Sequence, residues 1–327
     1  MPAFLRLVPR LLSLVCACVC AGVVHAQSWP AKPVRWLVPF PAGQGASDIA
    51  ARVLTEKLTA MWGQPIVVEN KPGAGGTIAT AEMLKAPADG YTIMSGTMGT
   101  HTIAPNLYKS LPFDAARDLI PVSLVVDVPL VLVASLQVPA NSLRDFVSLT
   151  RDLPGKHAYA SPGNGTLNHV MGELFKQVAR LDMPHIPYRG GAGAYVDMYS
   201  GNVAIMFDPI LSATTQVKQG KLKAYAIAAP KRSPALPDVP TMAELGYAGF
   251  EATLWLGVFA PTGTPAAVVN RISVDIGTVL KNPEVRARLE GLGGEVVGMP
   301  HDAFSKAYAR DLGRWGKAIK ELNIKID

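Results

Sequence analysis

The strongest constraint on the fold is an alternation of short β-rich runs with segments of helical spacing. Val34–Val38, Ile66–Glu69 and Thr92–Ser95 are predicted strands, and Asp48–Met61 and Thr77–Ala86 are the helices predicted between them. Such a βαβ series implies a mostly parallel sheet with helices on both faces. The sequence therefore predicts an α/β protein.

The rhythm changes in Pro121–Ala134, a long apolar run that Asp127-Val128-Pro129 interrupts. We interpret the run as one strand that leaves a first domain and a second strand that enters another, with Thr253–Pro261 as the return strand. This predicts a first domain of residues 27–127 and 256–327 and a second of residues 128–255. Two crossing strands would join them, with a ligand cleft between the domains and hinge closure as the motion.

The remaining segments continue the same pattern. Ser142 opens a helix with a capping-box pattern. Further strands are predicted near His157–Ala160, His185–Tyr188, Val203–Phe207, Ala224–Ala228 and Glu295–Val297, and helices at Thr166–Val178, Gly193–Tyr199, Leu211–Gln219, Ala266–Lys281, Pro283–Leu292 and from His301. The last helix carries a stripe that we expect to dock on the first domain: Phe304, Tyr308, Leu312, Trp315, Ile319 and Leu322.

The first 26 residues are predicted to be a secretory signal peptide. Arg6 and Arg10 flank an apolar stretch from Leu11 to Val24, and Val24-His25-Ala26 supplies small or apolar residues where a signal peptidase reads. The stretch is shorter than the roughly 20 residues needed to span a bilayer. A lipid anchor is the alternative, because Val15-Cys16-Ala17-Cys18 loosely resembles a lipobox. The mature chain is therefore predicted to be exported and soluble outside the cytoplasm.

Removal of this segment changes the cysteine count and the charge. Cys16, Cys18 and Cys20 all lie in it, so a mature chain from Gln27 has no disulfide, thiolate nucleophile or cysteine-metal site. Loss of two arginines lowers the formal charge from +6 to +4. No Lys/Arg cluster is dense enough to indicate nucleic-acid binding. A weak positive field would favour the approach of an anionic solute.

Four loops rich in glycine and hydroxyl residues follow predicted strands. They are Pro39–Asp48, Ser95–His101, Ser161–His169 and Pro187–Gly191. Such loops expose backbone N–H groups, and a helix that starts after them adds the positive end of its dipole, so a carboxylate or a phosphate fits. Each loop taken alone could serve only its turn, and we interpret Asn70–Gly76 as structural.

Nucleotide binding is not supported. Gly43-Gln44-Gly45 follows a strand like the start of G-x-G-x-x-G, but Asp48 occupies the sixth position, where an acid would repel a pyrophosphate. No Gly-rich loop continues into G-K-[ST], so a P-loop is absent from the sequence. No nucleotide cofactor is expected.

Hydrolytic chemistry has equally little support. Ser161 is not in G-x-S-x-G. His169 could pair with Ser161 across their loop, although a histidine at a helix start more commonly makes a structural hydrogen bond. Asp208 follows a strand and is interpreted as a polar residue of the cleft or a helix cap. Metal-ligand spacing is missing among the histidines His101, His157, His169, His185 and His301. No catalytic residue, metal or cofactor is predicted.

An ordered series of motifs carries a family resemblance over nearly the whole mature chain. In order, the motifs are "VPFPAG…SD.AAR", "GQPIVVENKPGAGG", "ADGYT", "GTMGTH", "PVSLV", "YASPGNGT.NH..GELF", "HIPYRGG", "FD", "GKLKA.A", "KRSPALPDVPT..E.G" and "GVFAPTGTP". Together they resemble the Bug-type substrate-binding proteins of tripartite tricarboxylate transporters. The resemblance implies a periplasmic binding protein of type II fold. Such a receptor captures a small organic carboxylate, presents it to a membrane permease and is not an enzyme.

The resemblance also implies the ligand contacts, made largely by backbone amides and ordered waters. The first domain would contribute Phe40, Ala42, Gly43, Gln44, Ser47, Asp48, Thr97, Gly99, Thr100 and His101. The second would contribute Ser161, Gly163, Asn164, Gly165, Thr166, His169, Tyr188, Gly190 and Asp208.

The first loop departs from the family pattern G-G-[AS]-[TS]-D. The stretch Gly43–Asp48 is one residue longer, and Gln44 adds a donor and an acceptor that glycine lacks. We therefore predict a ligand with a polar group beyond one carboxylate.

Three functions are weighed. The leading one is a monomeric periplasmic receptor that delivers a carboxylate to a permease. The second is a sensory protein that presents its ligand to a membrane signalling receptor. The third is an exported hydrolase that uses Ser161 and His169.

Overall fold

The computed structural model describes residues 29–43 and 45–321. The predicted signal peptide, the lipobox-like segment, Gln44 and Leu322 lie outside these residues. Every element given below belongs to one structural unit, which begins at Lys32.

Strands and helices alternate along the described chain. The strands are β1 (Val34–Val38), β2 (Ile66–Asn70), β3 (Thr92–Thr97), β4 (Leu119–Ser135), β5 (Tyr159–Ser161), β6 (His185–Pro187), β7 (Ile205–Pro209), β8 (Leu222–Ala228), β9 (Thr253–Pro261) and β10 (Glu295–Pro300). The helices are α1 (Ala46–Trp62), α2 (Thr77–Leu84), α3 (Ala104–Leu107), α4 (Leu143–Asp152), α5 (Leu167–Ala179), α6 (Gly191–Ser200), α7 (Ile210–Lys218), α8 (Ala266–Leu280), α9 (Pro283–Gly291) and α10 (His301–Glu321). A 3-10 turn at Ala74–Gly76 and a π-helical turn at Gly99–Ile103 complete the set.

The sheet is mixed rather than mostly parallel. Its strand order is β2-β1-β3-β9-β4-β7-β5-β6, and β8 and β10 also pair with β4. The predicted βαβ series does pair in parallel, with β1 between β2 and β3, and β5 pairs in parallel with β6 and β7. The crossing strands β4 and β9 pair antiparallel because they pass through the sheet in opposite directions. They separate the two parallel groups.

The run Pro121–Ala134 belongs to one continuous strand, β4, so the predicted break at Asp127-Val128-Pro129 is wrong. Proline has no N–H to donate, but its fixed φ is compatible with extended backbone. Pro129 lies opposite Thr253, the first residue of β9, so its missing donor falls at the end of that ladder. Leu130 N resumes pairing by donating to Ala252 O at 3.3 Å.

Strand β4 changes partners along its length. It pairs with β10 as far as Asp127 and with β7 from Leu130 onward. We call β1–β3, β10, α1–α3 and α8–α10 the first lobe, and β5–β8 with α4–α7 the second lobe. The domain boundaries at residues 127/128 and 255/256 stay a prediction.

Other element bounds differ from the predicted ones by up to three residues. Helix α1 begins at Ala46 rather than Asp48, with Gly45 as its N-cap. Ser142 caps α4 as its sequence pattern predicts, since its hydroxyl accepts a hydrogen bond from Asp145 N at 3.1 Å.

The final helix packs on the first lobe, as predicted. Phe304 and Tyr308 are buried, and each ring centroid lies 5.4 Å from that of Phe259 in β9. The Tyr308 hydroxyl donates to the carbonyl oxygens of His101 and Ala115, at 3.1 and 2.8 Å. Of the predicted stripe, Ile319 is also buried, and Leu312 and Trp315 are half-buried. This helix therefore holds β9 and the π-helical turn together.

Within the described part of the chain, no helix combines the length and the apolar character that crossing a membrane requires.

Candidate ligand-binding cleft

A cavity lies where the four Gly-rich loops meet between the lobes. It holds about 560 Å³ of space, including the part that opens to solvent. Six of the predicted site residues lie on its wall: Phe40, Ser47, Thr97, Gly99, Thr166 and Asp208. Both lobes therefore contribute to one site, as the sequence predicts, although ligand contact by these residues stays a prediction.

The other predicted residues do not line this cavity. Gln44 lies outside the described residues. The rest belong to the same four loops but are not part of the lining, and their ligand contact stays a prediction: Ala42, Gly43, Asp48, Thr100, His101, Ser161, Gly163, Asn164, Gly165, His169, Tyr188 and Gly190.

Sequence reasoning missed more than half of the lining. The missed residues are Pro41, Gly45, Ala46, Pro162, Leu167, Asn168, Gly191, Ala192, Pro209, Ser212 and Leu254. Most of them are the first residues of a helix or its cap, so the helix starts were the usable signal. Leu254 comes from a crossing strand and carried no such signal.

Four helices begin at the cavity wall. Their first or capping residues on it are Ala46 of α1, Leu167 of α5, Gly191 of α6 and Pro209 before α7. The first N–H groups of a helix have no partner within the helix, and the dipole makes that end positive. No Lys, Arg or His side chain lines the cavity among the residues described. The arrangement can thus bind an anion through backbone amides.

Asp48 organises the first loop. Its fully buried carboxylate accepts hydrogen bonds from Gly43 N at 2.7 Å, from Arg52 Nε at 2.8 Å and from Asn70 Nδ2 at 2.8 Å. Although burial opposes ionisation, the hydrogen bonds from Arg52, Gly43 and Asn70 hold the pKa of Asp48 below its usual range. Asn70 also donates to Phe40 O at 2.8 Å. Asp48 therefore holds the loop in place, and it does not start the helix as predicted.

The second loop is fixed by threonine hydroxyls. Thr100 Oγ1 donates to Gly75 O at 2.8 Å and lies 3.1 Å from Thr97 Oγ1. His101 is fully buried and stacks on Phe259 with ring centroids 4.5 Å apart. Burial lowers the pKa of His101 to about 3, so this imidazole is a neutral part of the core.

The third loop contains a contact between Ser161 and a histidine of the neighbouring strand β6. Ser161 Oγ lies 2.7 Å from His185 Nε2, so the alternative pairing of Ser161 with His169 is not formed, and His169 makes the structural hydrogen bond expected of a histidine at a helix start. His169 Nδ1 instead accepts a hydrogen bond from Gly165 N at 3.4 Å, and its ring stacks on His185 at 4.2 Å. Ser161 is fully buried. Burial lowers the pKa of His185 to about 3.

Asp208 is a buried carboxyl group on the cavity wall. It is 2% exposed, and its Oδ2 accepts hydrogen bonds from Tyr195 Oη at 2.6 Å and from Ser212 Oγ at 3.2 Å. Burial raises the pKa of Asp208 to about 7, against the opposing effect of these two hydroxyls. Within the described chain, Asp208 takes part in no ion pair.

The lobes touch closely around the cavity. The Tyr108 hydroxyl donates to Asn164 O at 3.1 Å across the cleft. Gly190 has φ +107°, and a Cβ built there would lie 2.3 Å from Pro41 Cδ of the opposite lobe. This closed arrangement requires glycine at the contact, because any side chain would collide with the proline ring.

Solved structures with the same architecture share about a third of this sequence. The periplasmic binding protein BugD is 35% identical, with a TM-score of 0.87 over 91% of this chain and 99% of BugD. MatC from Rhodopseudomonas palustris with bound malate is 33% identical, with a TM-score of 0.84 over 89% and 100%. Another R. palustris protein, solved with adipate, is 31% identical, with a TM-score of 0.87 over 91% and 99%. The predicted α/β fold of a periplasmic binding protein is thereby confirmed.

The sequence model described as "Tripartite tricarboxylate transporter family receptor" matches residues 50–324, which is most of the chain. The Bug-type resemblance predicted this match. The chain belongs to the tripartite tricarboxylate transporter receptor family.

Proposed function

We propose that this protein is a monomeric periplasmic receptor that binds a small organic carboxylate in the cleft and delivers it to a membrane permease. The observation that carries the proposal is the meeting of four helix N-termini at a cavity lined by no cationic side chain among the described residues. The receptor family of the chain and the malate and adipate bound by its structural neighbours support the same class of ligand.

Backbone amides suit a carboxylate because they donate hydrogen bonds to it without a charged Lys or Arg side chain that would itself have to lose its hydration. A hydrogen bond to a charged group contributes about 1.5–3 kcal/mol. A helix N-terminus adds about 0.3–1 kcal/mol for an anion near it. Several such contacts act together against the free-energy cost of association.

Closure of the lobes over the ligand would couple binding to delivery. The contacts Tyr108–Asn164 and Gly190–Pro41 join opposite lobes beside the cavity. A ligand that touches both lobes favours the closed form by its differential affinity for that form. The permease would then recognise the closed receptor.

No catalytic role is proposed. Ser161 is fully buried, does not line the cavity and contacts a histidine whose pKa is lowered by burial. Nothing in the site favours the sensory alternative over transport. The sensory role therefore stays an alternative from the sequence alone. Uptake of the bound carboxylate before and after deletion of a permease gene would separate the two roles.

The experiment that tests the proposal is a thermal-shift and calorimetry panel of malate, succinate, adipate, citrate, benzoate and nicotinate. A ligand at 100 times its Kd stabilises the folded protein by about 2.7 kcal/mol. We expect at least one of these acids to bind in the micromolar range. Failure of every acid to raise the Tm would contradict the proposal.

The variant Ala46→Pro tests the backbone amides directly. Ala46 is the first residue of α1 and lies on the cavity wall, and Gly45 before it is extended, with φ −105° and ψ 144°. Proline is favoured at this helix position, and extended backbone is what the preceding residue requires. The substitution therefore removes one N–H donor and leaves the helix intact.

We expect Ala46→Pro to weaken carboxylate binding about 10- to 100-fold, which corresponds to one charge-assisted hydrogen bond. The matched control is Ala266→Pro at the first position of α8, where the residue is exposed and does not line the cavity. Equal binding by the two variants would show that the helix end of α1 does not hold the ligand.

A further inference from the structure

We propose that Asp208 must carry a proton when a carboxylate occupies the cleft, so that the receptor takes up one proton with each anion it binds. The inference rests on the proposed function. It makes Asp208 a residue that links ligand affinity to pH.

The position of Asp208 brings its carboxyl group close to any carboxylate bound in the cleft, so two negative charges would repel each other if Asp208 were ionised. Its carboxyl group lies on the cavity wall at the end of β7 and is 2% exposed. Oδ2 holds two hydroxyl donors, whereas Oδ1 accepts no hydrogen bond from the described residues. Because Asp208 lines the cavity, an anion bound there lies within about one Debye length of its carboxyl group.

No cationic group compensates Asp208 from the elements packed around it. Helix α6 presents Tyr195, which hydrogen-bonds to the carboxyl, and Tyr199, and their pKa values are raised by burial and by the Asp208 charge. Helix α7 presents Ser212. Burial lowers the pKa of His169 on α5, which favours its neutral form.

The remaining neighbours are apolar or already paired. Strand β4 runs beside β7 with the buried stretch Leu130–Ala134. Asn168 of α5 donates to Phe207 O at 2.6 Å rather than to Asp208. Across the cavity, Asp48 is ion-paired with Arg52 at 2.8 Å. No Lys, Arg or His side chain lines the cavity in the described part of the chain, so support for an ionised Asp208 is left to the helix N-termini at the wall.

A bound anion would compete with the Asp208 carboxylate for the positive helix N-termini at the cavity wall. In the empty cleft, the start of α7 directly after Asp208 favours its ionised form, while burial favours the protonated form. The balance of these two effects leaves the pKa of Asp208 at about 7 when no anion is bound. When a carboxylate accepts hydrogen bonds from the backbone amides, its negative charge further disfavours the ionised form of Asp208. Asp208 therefore binds a proton when the anion binds.

The test is isothermal titration calorimetry in two amine buffers of different ionisation enthalpy, Tris and triethanolamine, at pH 8. The probe is whichever acid of the six-member panel raises the Tm most. We expect uptake of most of one proton per anion at pH 8, where Asp208 is largely ionised before the anion binds. Above pH 7, affinity is expected to fall about ten-fold per pH unit.

Asp208→Asn mimics the protonated state, because an amide can accept from Tyr195 and Ser212 and present N–H groups toward the cavity. This variant should bind with no proton uptake and with an affinity that does not change between pH 5.5 and 8. Ser212→Ala removes one donor to the carboxylate, so it should move the midpoint of the pH dependence upward. Asp275→Asn, at a buried aspartate paired with Arg271 and Trp62, should keep the wild-type profile.

The outcomes separate this inference from the proposed function. Binding of the probe acid without proton uptake at pH 8, or with the same uptake in Asp208→Asn, overturns the inference and leaves the receptor function standing. Failure of every panel acid to bind overturns both.

Discussion

Closure of the lobes makes Gly190 the most informative single position. In Gly190→Ala, the new Cβ would lie 2.3 Å from Pro41 Cδ, and φ at this residue is +107°, where side chains are strained. Ordinary carbon–carbon contacts need about 3.5–4.0 Å, so the lobes must separate by more than 1 Å at this point. An open form of the receptor avoids the collision, because Gly190 and Pro41 then no longer touch.

Overpacking of this kind costs about 1–3 kcal/mol. If this free energy destabilises only the closed form, carboxylate affinity decreases about 5- to 150-fold, since 1.4 kcal/mol corresponds to a factor of ten. Calorimetry with the tightest panel acid measures the affinity, and small-angle scattering measures the radius of gyration with and without the acid. We expect weak binding and little compaction.

The matched control for backbone strain is Gly246→Ala. Gly246 also has a positive φ, +90°, and a Cβ there meets nothing within 4 Å. Wild-type affinity in Gly190→Ala, or an equal loss in Gly246→Ala, would refute the reasoning that this contact belongs to the ligand-bound form.

Three further predictions concern stability. Asp48→Ala leaves Gly43 N–H and the half-exposed Arg52 without their buried acceptor, so we expect the free energy of unfolding in urea to fall by about 2–3 kcal/mol, and an unchanged value would contradict the role given to Asp48. The pKa of Asp208 is raised to about 7, so its protonated form stabilises the fold fully below about pH 4, and that stabilisation is lost as the pH rises to about 7. Compared with Asp208→Asn, wild type should lose up to about 4 kcal/mol over that range, and parallel urea profiles would exclude the shift. Phe304→Ala removes a fully buried ring between α10 and β9 and should lower the free energy of unfolding by about 3–5 kcal/mol, unless α10 contributes nothing to the first lobe.

The fold was predictable wherever local pattern and tertiary packing agree. Helix α8 starts and β9 runs where the sequence places them, because apolar periodicity, Pro265 and the flanking turns all favour the same bounds. Strand β4 was not predictable because proline normally interrupts a ladder. Only the pairing partners of Pro129 reveal that its missing donor falls at a ladder end.

The candidate site was predictable as a set of loops but not as a set of contacts. Glycines and hydroxyl residues mark the turns, whereas the wall is formed largely by the first residues of the helices that follow, such as Ala46 and Asn168. Local sequence does not tell which face of a loop a side chain takes, so it does not reveal that Asp48 and His101 fall outside the cavity lining, and their contact with a ligand stays a prediction. The partner of Ser161 comes from β6, 24 residues away, and no local motif marks it.

A crystal structure of the protein with its tightest panel acid is the most direct test of anion capture by backbone amides. We predict that the carboxylate lies in the cleft with its oxygens about 2.7–3.2 Å from first-turn N–H groups of α1, α5, α6 or α7. A carboxylate held instead by a lysine or arginine side chain, or bound outside the cleft, would contradict this mode of recognition.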